Sequence, residues 1–200
     1  PRVNSPILLR SRLLWLVSQP PIEDGAVFVH EGKIVESGRW TELAAKYSAV
    51  DVQDLGEVAL LPGLVNAHCH LDYTEMAGLI PPPGNFPDWI KSILAVKAHW
   101  SYTEYAASWL RGAHQLLESG VTAVADVESV PELLPDSWEA TPLRMVSFFE
   151  MTGVRSGNRP ERILVGGLEN VRRVGSSATK QAGLSPHALY STPQIGRAHV

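Results

Sequence analysis

Cysteine is nearly missing from this chain of 200 residues, since Cys69 is the only one. A single cysteine excludes a disulfide within the chain and is typical of a reducing compartment. Basic runs are missing as well, and the formal net charge is −4. Nothing in the sequence therefore indicates binding to nucleic acid or to an anionic membrane. These scarcities favour a cytoplasmic protein.

Long apolar runs are also missing. The apolar residues 7–17 are interrupted by Arg10 and Arg12, are too short to span a bilayer and lack the cleavage site of a signal peptide. We interpret them as a pair of strands. With 44% apolar and 19% charged residues, the composition is that of a globular protein. The length suffices for one ordinary domain or part of a larger one.

The first sixty residues carry the pattern of short β-strands. Residues 26–30 and 33–37 flank Glu31-Gly32, which is a tight hairpin signal. Residues 42–47 predict a short helix, and residues 50–58 predict one further strand. Several short strands in succession favour a small sheet or sandwich with open edges.

From about residue 60 the pattern changes to alternating strands and helices. An apolar stripe with helical spacing fills residues 86–97, and Ser101 with Glu104 forms a capping box for a second helix that ends at Gly120. Buried-type strands are predicted at residues 64–70, 121–127, 143–149 and 183–188, with helices at 131–134 and 161–174 and a loop from 135 to 142. This alternation predicts parallel strands with helices outside, in a barrel or a doubly wound sheet.

Two histidines at the end of the first of these strands are the strongest chemical signal. Side chains alternate along a strand, so His68 and His70 share a face while Cys69 points the other way. Two such imidazoles can bind one metal ion, although a His-x-His pattern by itself is weak evidence. We read Cys69 as buried packing rather than as a thiolate ligand.

The surroundings of this pair resemble the amidohydrolase superfamily. The resemblance rests on residues 25–38 (GAVFVHEGKIVESG) and 61–70 (LPGLVNAHCH). Residues 185–191 (SPHALYS) are similar to the Pro-His-Ala-Pro-Tyr-Ser segment of the branch that contains chlorohydrolases, guanine deaminases and adenosine-type deaminases. Leu189 stands where that branch often has proline. The resemblance covers almost the whole chain up to about Pro193.

The resemblance implies an α/β fold: a TIM (β/α)8 barrel attached to a small β-sandwich built from both chain ends. We assign residues 1–59 to the N-terminal strands of the sandwich and residues 60–194 to the first four β/α units of the barrel. The last six residues, 195–200, read like a translated sequencing adaptor and are interpreted as a non-native tail, so His199 has no role. On this interpretation the chain is an N-terminal fragment, inactive by itself.

The resemblance also implies a metal-dependent hydrolase site. His68 and His70 carry over as ligands of one divalent metal ion, with Zn²⁺ favoured over Fe²⁺. His187 carries over as a substrate-binding residue at the end of the fourth strand. The catalytic residues stay unknown, because the general acid–base Glu is expected beyond the chain end. Trp89 is a further substrate-binding candidate, which either closes over an aromatic ring or belongs to the core.

The function that follows is hydrolysis of C–N bonds other than peptide bonds, with deamination of an N-heterocycle by metal-activated water as the leading reading. The sequence does not distinguish deamination from dechlorination, which the same scaffold also supports. One alternative is a binuclear cyclic amidohydrolase of the dihydroorotase or hydantoinase kind, which needs a lysine where His187 stands. Another is a metal-free scaffold homologue. The expected partner is a small-molecule substrate, with dimers common in the branch.

Several carboxylates have two readings. Asp72 and Glu75 either line the pocket, orient an imidazole or lie solvated in a loop. Asp126 and Glu150, near the ends of the second and third strands, are either pocket wall or local cap and ion-pair partners.

Overall fold

The computed structural model describes residues 5–153, 160–188 and 191, and the predicted tail at 195–200 lies outside them. The chain divides into two compact units, Pro1–Pro62 and Gly63–Val200. No helix of the described residues is long and apolar enough to cross a membrane.

The first unit is a five-stranded sheet with one short helix. Its strands are β1 (Ile7–Leu14), β2 (Ile22–His30), β3 (Lys33–Arg39), β4 (Asp51–Asp54) and β5 (Ala59–Leu60), and its helix is α1 (Trp40–Lys46). The sheet has the order β3-β2-β1-β4, and β5 also pairs with β1. The strands β1, β2 and β3 pair antiparallel, whereas β4 and β5 run parallel to β1. The core consists of the buried side chains Leu8, Ala26, Phe28 and Leu43.

The hairpin between β2 and β3 turns at Glu31 and Gly32, as the sequence predicts. Both residues have positive φ, 51° and 70°, which is the conformation of the tightest hairpin turns. The strand pair predicted for residues 7–17 is wrong, because β1 is one continuous strand. Its Arg10 side chain does not interrupt the strand but bonds to Asp24 and Asp54 beside it.

The strand predicted for residues 50–58 is likewise wrong as a single element. The structure has two short strands there, β4 and β5. Gly56 between them has a φ of +75°, which turns the backbone out of the extended conformation.

The second unit is a parallel sheet with helices between its strands. Its strands are β6 (Leu64–Cys69), β7 (Val121–Glu128), β8 (Arg144–Met151) and β9 (Lys180–Pro186), and its helices are α2 (Phe86–Lys97), α3 (Tyr102–Glu118), α4 (Asp136–Glu139) and α5 (Pro160–Val174). Two 3-10 helices span Leu71–Met76 and Pro131–Leu133. The strand order is β6-β7-β8-β9, with every pair parallel. The alternating pattern is thus confirmed, while α4 falls where a loop is predicted.

Local sequence signals explain where the two long helices begin. Asn85 caps α2 by accepting the backbone N–H of Asp88, with Pro87 in the first turn. The capping box of α3 is present in both directions between Ser101 and Glu104. One face of α3 then enters the core with Tyr105, Trp109 and Ala113.

The core of this unit lies between α3 and one face of the sheet. Its buried residues include Trp109, Val124, Leu143, Met145 and Phe149. Along β8 the buried residues alternate with less buried ones, so Val146, Phe148 and Glu150 face the other side of the sheet. The carboxyl ends of the four strands lie at one edge of the sheet, because all four strands are parallel.

Candidate functional site

Polar side chains gather at the carboxyl edge of the parallel sheet. His68 and His70 lie at the end of β6, Glu128 at the end of β7 and Glu150 near the end of β8, while His187 follows β9 directly. The crevice beyond the carboxyl ends of parallel strands is where α/β folds bind ligands. This edge is therefore the candidate site.

The two histidines at the end of β6 lie side by side. Their ring centroids are 5.5 Å apart with the planes at 80°, so both side chains share one side, as strand alternation predicts. His68 is exposed and His70 is partly buried. The Nδ1 atom of His70 is buried and has no hydrogen-bond partner in the described part of the chain. Since buried polar atoms are nearly always paired, this nitrogen fits an imidazole that binds a further group.

Burial lowers the pKa of His70, and surrounding charges modify this effect. The Glu150 carboxylate favours the protonated ring, whereas Lys97, His68 and His187 disfavour it. Residues from β6, α2, β8 and the end of β9 thus act on one imidazole. The direction of the shift favours neutral His70, which is the form that coordinates metal ions.

The single cysteine points away from this pair. Cys69 Sγ lies 3.8 Å from the carbonyl oxygen of Ala125 and 4.0 Å from Asp126 Oδ1. Burial, together with the charges of Asp126 and Asp72, raises the pKa of the Cys69 thiol to about 12. The thiol is therefore protonated at neutral pH, in keeping with the packing role predicted for it.

Asp126 fixes the backbone that follows the histidine pair. It is fully buried, and its two carboxyl oxygens accept the N–H of Leu71 at 3.0 Å and the indole N–H of Trp109 at 3.2 Å. Burial is the main cause that raises the pKa of Asp126 to about 7. Of the roles that the sequence leaves open for Asp126, the cap comes nearest, because its carboxylate accepts the N–H of the first residue of the 3-10 helix Leu71–Met76 and ties that helix to α3.

Two further carboxyl groups are buried close to Asp126. Asp72 is fully buried, and its Oδ2 accepts a hydrogen bond from Ser129; a solvated loop position for Asp72 is therefore wrong. Glu128 is 1% exposed, with Oε1 accepting the N–H of Val130 and Oε2 lacking a partner among the described residues. Burial raises the pKa of Asp72 to about 6 and that of Glu128 well above its ordinary value. Glu75, by contrast, is exposed and pairs with Arg111.

Tyr73 joins the histidine pair to helix α2. Its ring stacks on His70, with centroids 4.8 Å apart and planes at 12°. Its hydroxyl accepts a hydrogen bond from Lys97 Nζ at 2.9 Å, and the same ammonium donates to Ser129 Oγ at 2.6 Å. Burial raises the pKa of Tyr73, so the phenol is neutral.

An apolar cleft lies next to Tyr73. Its volume is about 410 Å³, and its wall combines aromatic, aliphatic and proline side chains from Tyr73, Met76, Ile80, Pro81, Pro82, Pro83, Trp89 and Ile93. Trp89 is 39% exposed, so its ring is available to the cleft rather than enclosed in the core. Tyr73 belongs to the wall of this cleft, and its ring also stacks on His70.

His187 reaches the same edge from β9. Its backbone N–H donates to the carbonyl of Met151, and its Nδ1 is hydrogen-bonded to Ser191 Oγ at 2.5 Å. Its Nε2 lies 4.0 Å from Glu150 Oε1, which places Glu150 at the site. Of the residues that the sequence singles out, His68, His70 and His187 thus meet at one edge, with Trp89 in the adjoining cleft.

The pattern of the sequence does not reveal Tyr73, Lys97 and Ser129 as neighbours of the site. One signal was available, because Lys97 is a cation on the otherwise apolar stripe of α2.

Across residues 5–153, 160–188 and 191, no group of three or more His, Cys, Asp or Glu side chains is arranged to hold a metal ion.

The chain is similar to known proteins both in sequence and in fold. No protein-family model matches the chain. The 5-methylthioadenosine/S-adenosylhomocysteine deaminase of Lawsonia intracellularis is 31% identical over 183 residues, which cover 86% of this chain and 40% of that protein. The chain thus spans about two fifths of the length of this curated relative.

Solved structures show the same fold. Aminofutalosine deaminase of Helicobacter pylori, in complex with methylthio-coformycin, matches with a TM-score of 0.80 and 24% identity over 95% of this chain and 46% of its own. Atrazine chlorohydrolase TrzN of Arthrobacter aurescens TC1, complexed with zinc, matches with a TM-score of 0.78 and 17% identity over 95% of this chain and 48% of its own.

Fold and site together define an α/β protein with histidines at the carboxyl edge of a parallel sheet. The sequence relative and both solved structures confirm the resemblance that the motifs of this chain show. The sequence relative and both solved structures are proteins of the amidohydrolase superfamily, which is the family that the motifs of this chain resemble.

Proposed function

We propose that this chain is part of a metal-dependent hydrolase that deaminates an N-heterocycle. The observation that carries the proposal is the His68–His70 pair, in which a buried Nδ1 lacks a partner among the described residues. Imidazoles that project together from a strand end are suitable zinc ligands. The solved relative that holds zinc supports Zn²⁺ as the ion.

Each predicted residue then has a defined task. His68 and His70 hold one divalent ion, which when bound supplies Lewis-acid activation of a water molecule. Zinc sites need three or four ligands, so these two residues provide one part of the set. His187, with its ring rotation fixed by Ser191, holds the substrate, and Trp89 covers the heterocycle from the cleft.

The architecture that suits this task is a partial barrel. We propose that β6–β9 and their helices are the first four units of a (β/α)8 barrel, within residues 60–194, and that residues 1–59 are strands of a β-sandwich. Chemistry at the carboxyl ends of the strands is the rule for such barrels. The shared fold of the two solved relatives supports this architecture.

The substrate class follows from the names of the relatives and from the cleft. The relatives are deaminases of a thioether nucleoside and of aminofutalosine, and a chlorohydrolase of atrazine. All three names denote a nitrogen heterocycle. The apolar cleft with Trp89 at its wall suits the flat face of such a ring.

The test uses the product of the complete reading frame that carries this chain. Purified protein is assayed for zinc content and for ammonia release from 5′-methylthioadenosine, S-adenosylhomocysteine and guanine. We expect bound zinc and release of ammonia, and loss of both in H68A and H70A. The matched control is H114Q, because His114 is an exposed histidine on α3 that pairs only with Glu118 among the contacts described. Zinc content that is unchanged in H68A and H70A contradicts the proposal.

A further inference from the structure

Tyr73 covers one face of the His70 ring. The two rings are nearly parallel, at 12° and 4.8 Å, while His68 approaches His70 edge-on. The terminal torsion of a histidine is broad and only weakly restrained by its own covalent structure. The orientation of the His70 ring is therefore determined by its neighbours, and Tyr73 provides the stacked one.

Tyr73 is itself held by a chain of hydrogen bonds that spans three segments. Lys97, the last residue of α2, donates to the Tyr73 hydroxyl and to Ser129, which follows β7. Ser129 in turn donates to Asp72, the neighbour of Tyr73 in sequence. The Lys97 ammonium also lies 4.6 Å from the centroid of the Tyr73 ring, within the range of a cation–π interaction. We call Asp72, Tyr73, Lys97 and Ser129 the Tyr73 clamp.

Simple core packing does not account for the clamp. An apolar side chain would fill the same space without a partly buried ammonium and two hydroxyl groups. Each of these polar groups costs desolvation unless it is paired, and here the ammonium bonds both hydroxyls. The pairing fixes the phenol in one place.

We propose that Tyr73 is a positioning residue for His70 and that Lys97 and Ser129 hold it there. This inference rests on the proposed function, because it gives the clamp the task of presenting one metal-binding imidazole in a fixed orientation. Residues that orient a metal ligand commonly change metal affinity by about 10- to 100-fold when they are altered.

The experiment measures the zinc affinity of the complete gene product by competition with a chromophoric chelator. Variants Y73F, Y73L, K97M and S129A are compared with Y102F, because Tyr102 is an exposed tyrosine at the start of α3. We expect Y73L to weaken zinc binding by about 10-fold. Y73F keeps the stacked ring, so its zinc affinity should be close to that of the unaltered protein. The zinc affinities of K97M and S129A should lie between those of Y73L and Y73F. Y102F should bind zinc as the unaltered protein does.

A second readout separates positioning from folding. The ring protons of His70, observed by NMR without zinc, should lose the upfield shift caused by the stacked phenol in Y73L and keep it in Y73F. If Y73L fails to fold, K97M and S129A decide, since both retain the aromatic ring. Zinc affinities equal to that of Y102F in Y73L, K97M and S129A would overturn the positioning role. Absence of zinc binding in the unaltered protein would instead refute the proposed function, and this role with it.

Discussion

Replacing Glu128 by glutamine tests the buried carboxyl groups beside the site. Glu128 Oε1 accepts the N–H of Val130 at 2.7 Å, and Oε2 is buried without a partner in the described part of the chain. Glutamine keeps the carbonyl acceptor and resembles the protonated acid in shape. At low pH, where Glu128 carries a proton, the two proteins should differ by less than about 1 kcal/mol in free energy of unfolding.

The difference should grow as the pH rises. Burial first, and then the charges of Asp72 and Asp126, raise the pKa of Glu128 well above its ordinary value of 4.5. At a pH between 4.5 and the pKa of Glu128 in the folded protein, folded Glu128 keeps a proton that the unfolded chain has released. The free energy of unfolding therefore falls as the pH rises through this window, by at most about 1.4 kcal/mol per pH unit. E128Q has no proton to lose at this position.

The assay is urea unfolding followed by tryptophan fluorescence in the presence of a chelator, at about pH 5, 6, 7 and 8. E132Q is the matched control, because Glu132 is exposed on the neighbouring 3-10 helix. We expect E128Q to gain stability relative to the unaltered protein with each step in pH, and E132Q to follow the unaltered protein. Parallel curves for E128Q and the unaltered protein would refute the reasoning.

Two further predictions concern helix geometry. S101A removes the hydroxyl that bonds Glu104 in the capping box of α3, so thermal unfolding should reveal a loss of about 1 kcal/mol. G112A and G166A form a matched pair of substitutions within helices. A Cβ at Gly112 would lie 2.3 Å from Thr74 Oγ1, whereas nothing lies within 4 Å of one at Gly166. In urea unfolding G112A should therefore destabilise the protein, while G166A stabilises it by up to about 1 kcal/mol; the opposite order would contradict the packing described for α3.

Short-range chemistry accounts for what could be predicted from the sequence. The hairpin at Glu31-Gly32 and the capping box at Ser101 each depend on residues within three positions of one another, and both are present. The same holds for the shared orientation of His68 and His70, which follows from strand alternation. Such signals survive because no distant contact is needed to produce them.

The errors arise where a distant partner decides. Arg10 suggests a break between two strands, yet its guanidinium is satisfied by Asp24 and Asp54 on neighbouring strands, so β1 continues through it. The helix α4 has only four residues, which is too short for a periodic pattern, and Trp138 within it is fixed by a bond to Ser147 of β8.

The site divides in the same way. The histidines are visible as a motif, but the link between Tyr73 and Lys97 joins residues 24 positions apart through the tertiary fold. From the sequence alone, Asp126 is equally compatible with a pocket wall and with a cap or ion-pair partner. Its actual partners, Leu71 and Trp109, belong to other elements of the fold. No local pattern reports such pairings.

The order of strands in the parallel sheet has a consequence for how the site is assembled. Each of β6, β7, β8 and β9 pairs with the strand that comes next in the chain. During synthesis, every new strand can therefore add to an edge that already exists, without waiting for a distant segment. Leu71 and Asp72, which follow the histidine pair, bond to Asp126 and Ser129 at the end of β7, whereas Glu150 and His187 come later in the chain with β8 and β9. The histidine pair and the residues that bond the turn after it can thus assemble before the rest of this edge, and the residues proposed for the substrate are added to them afterwards.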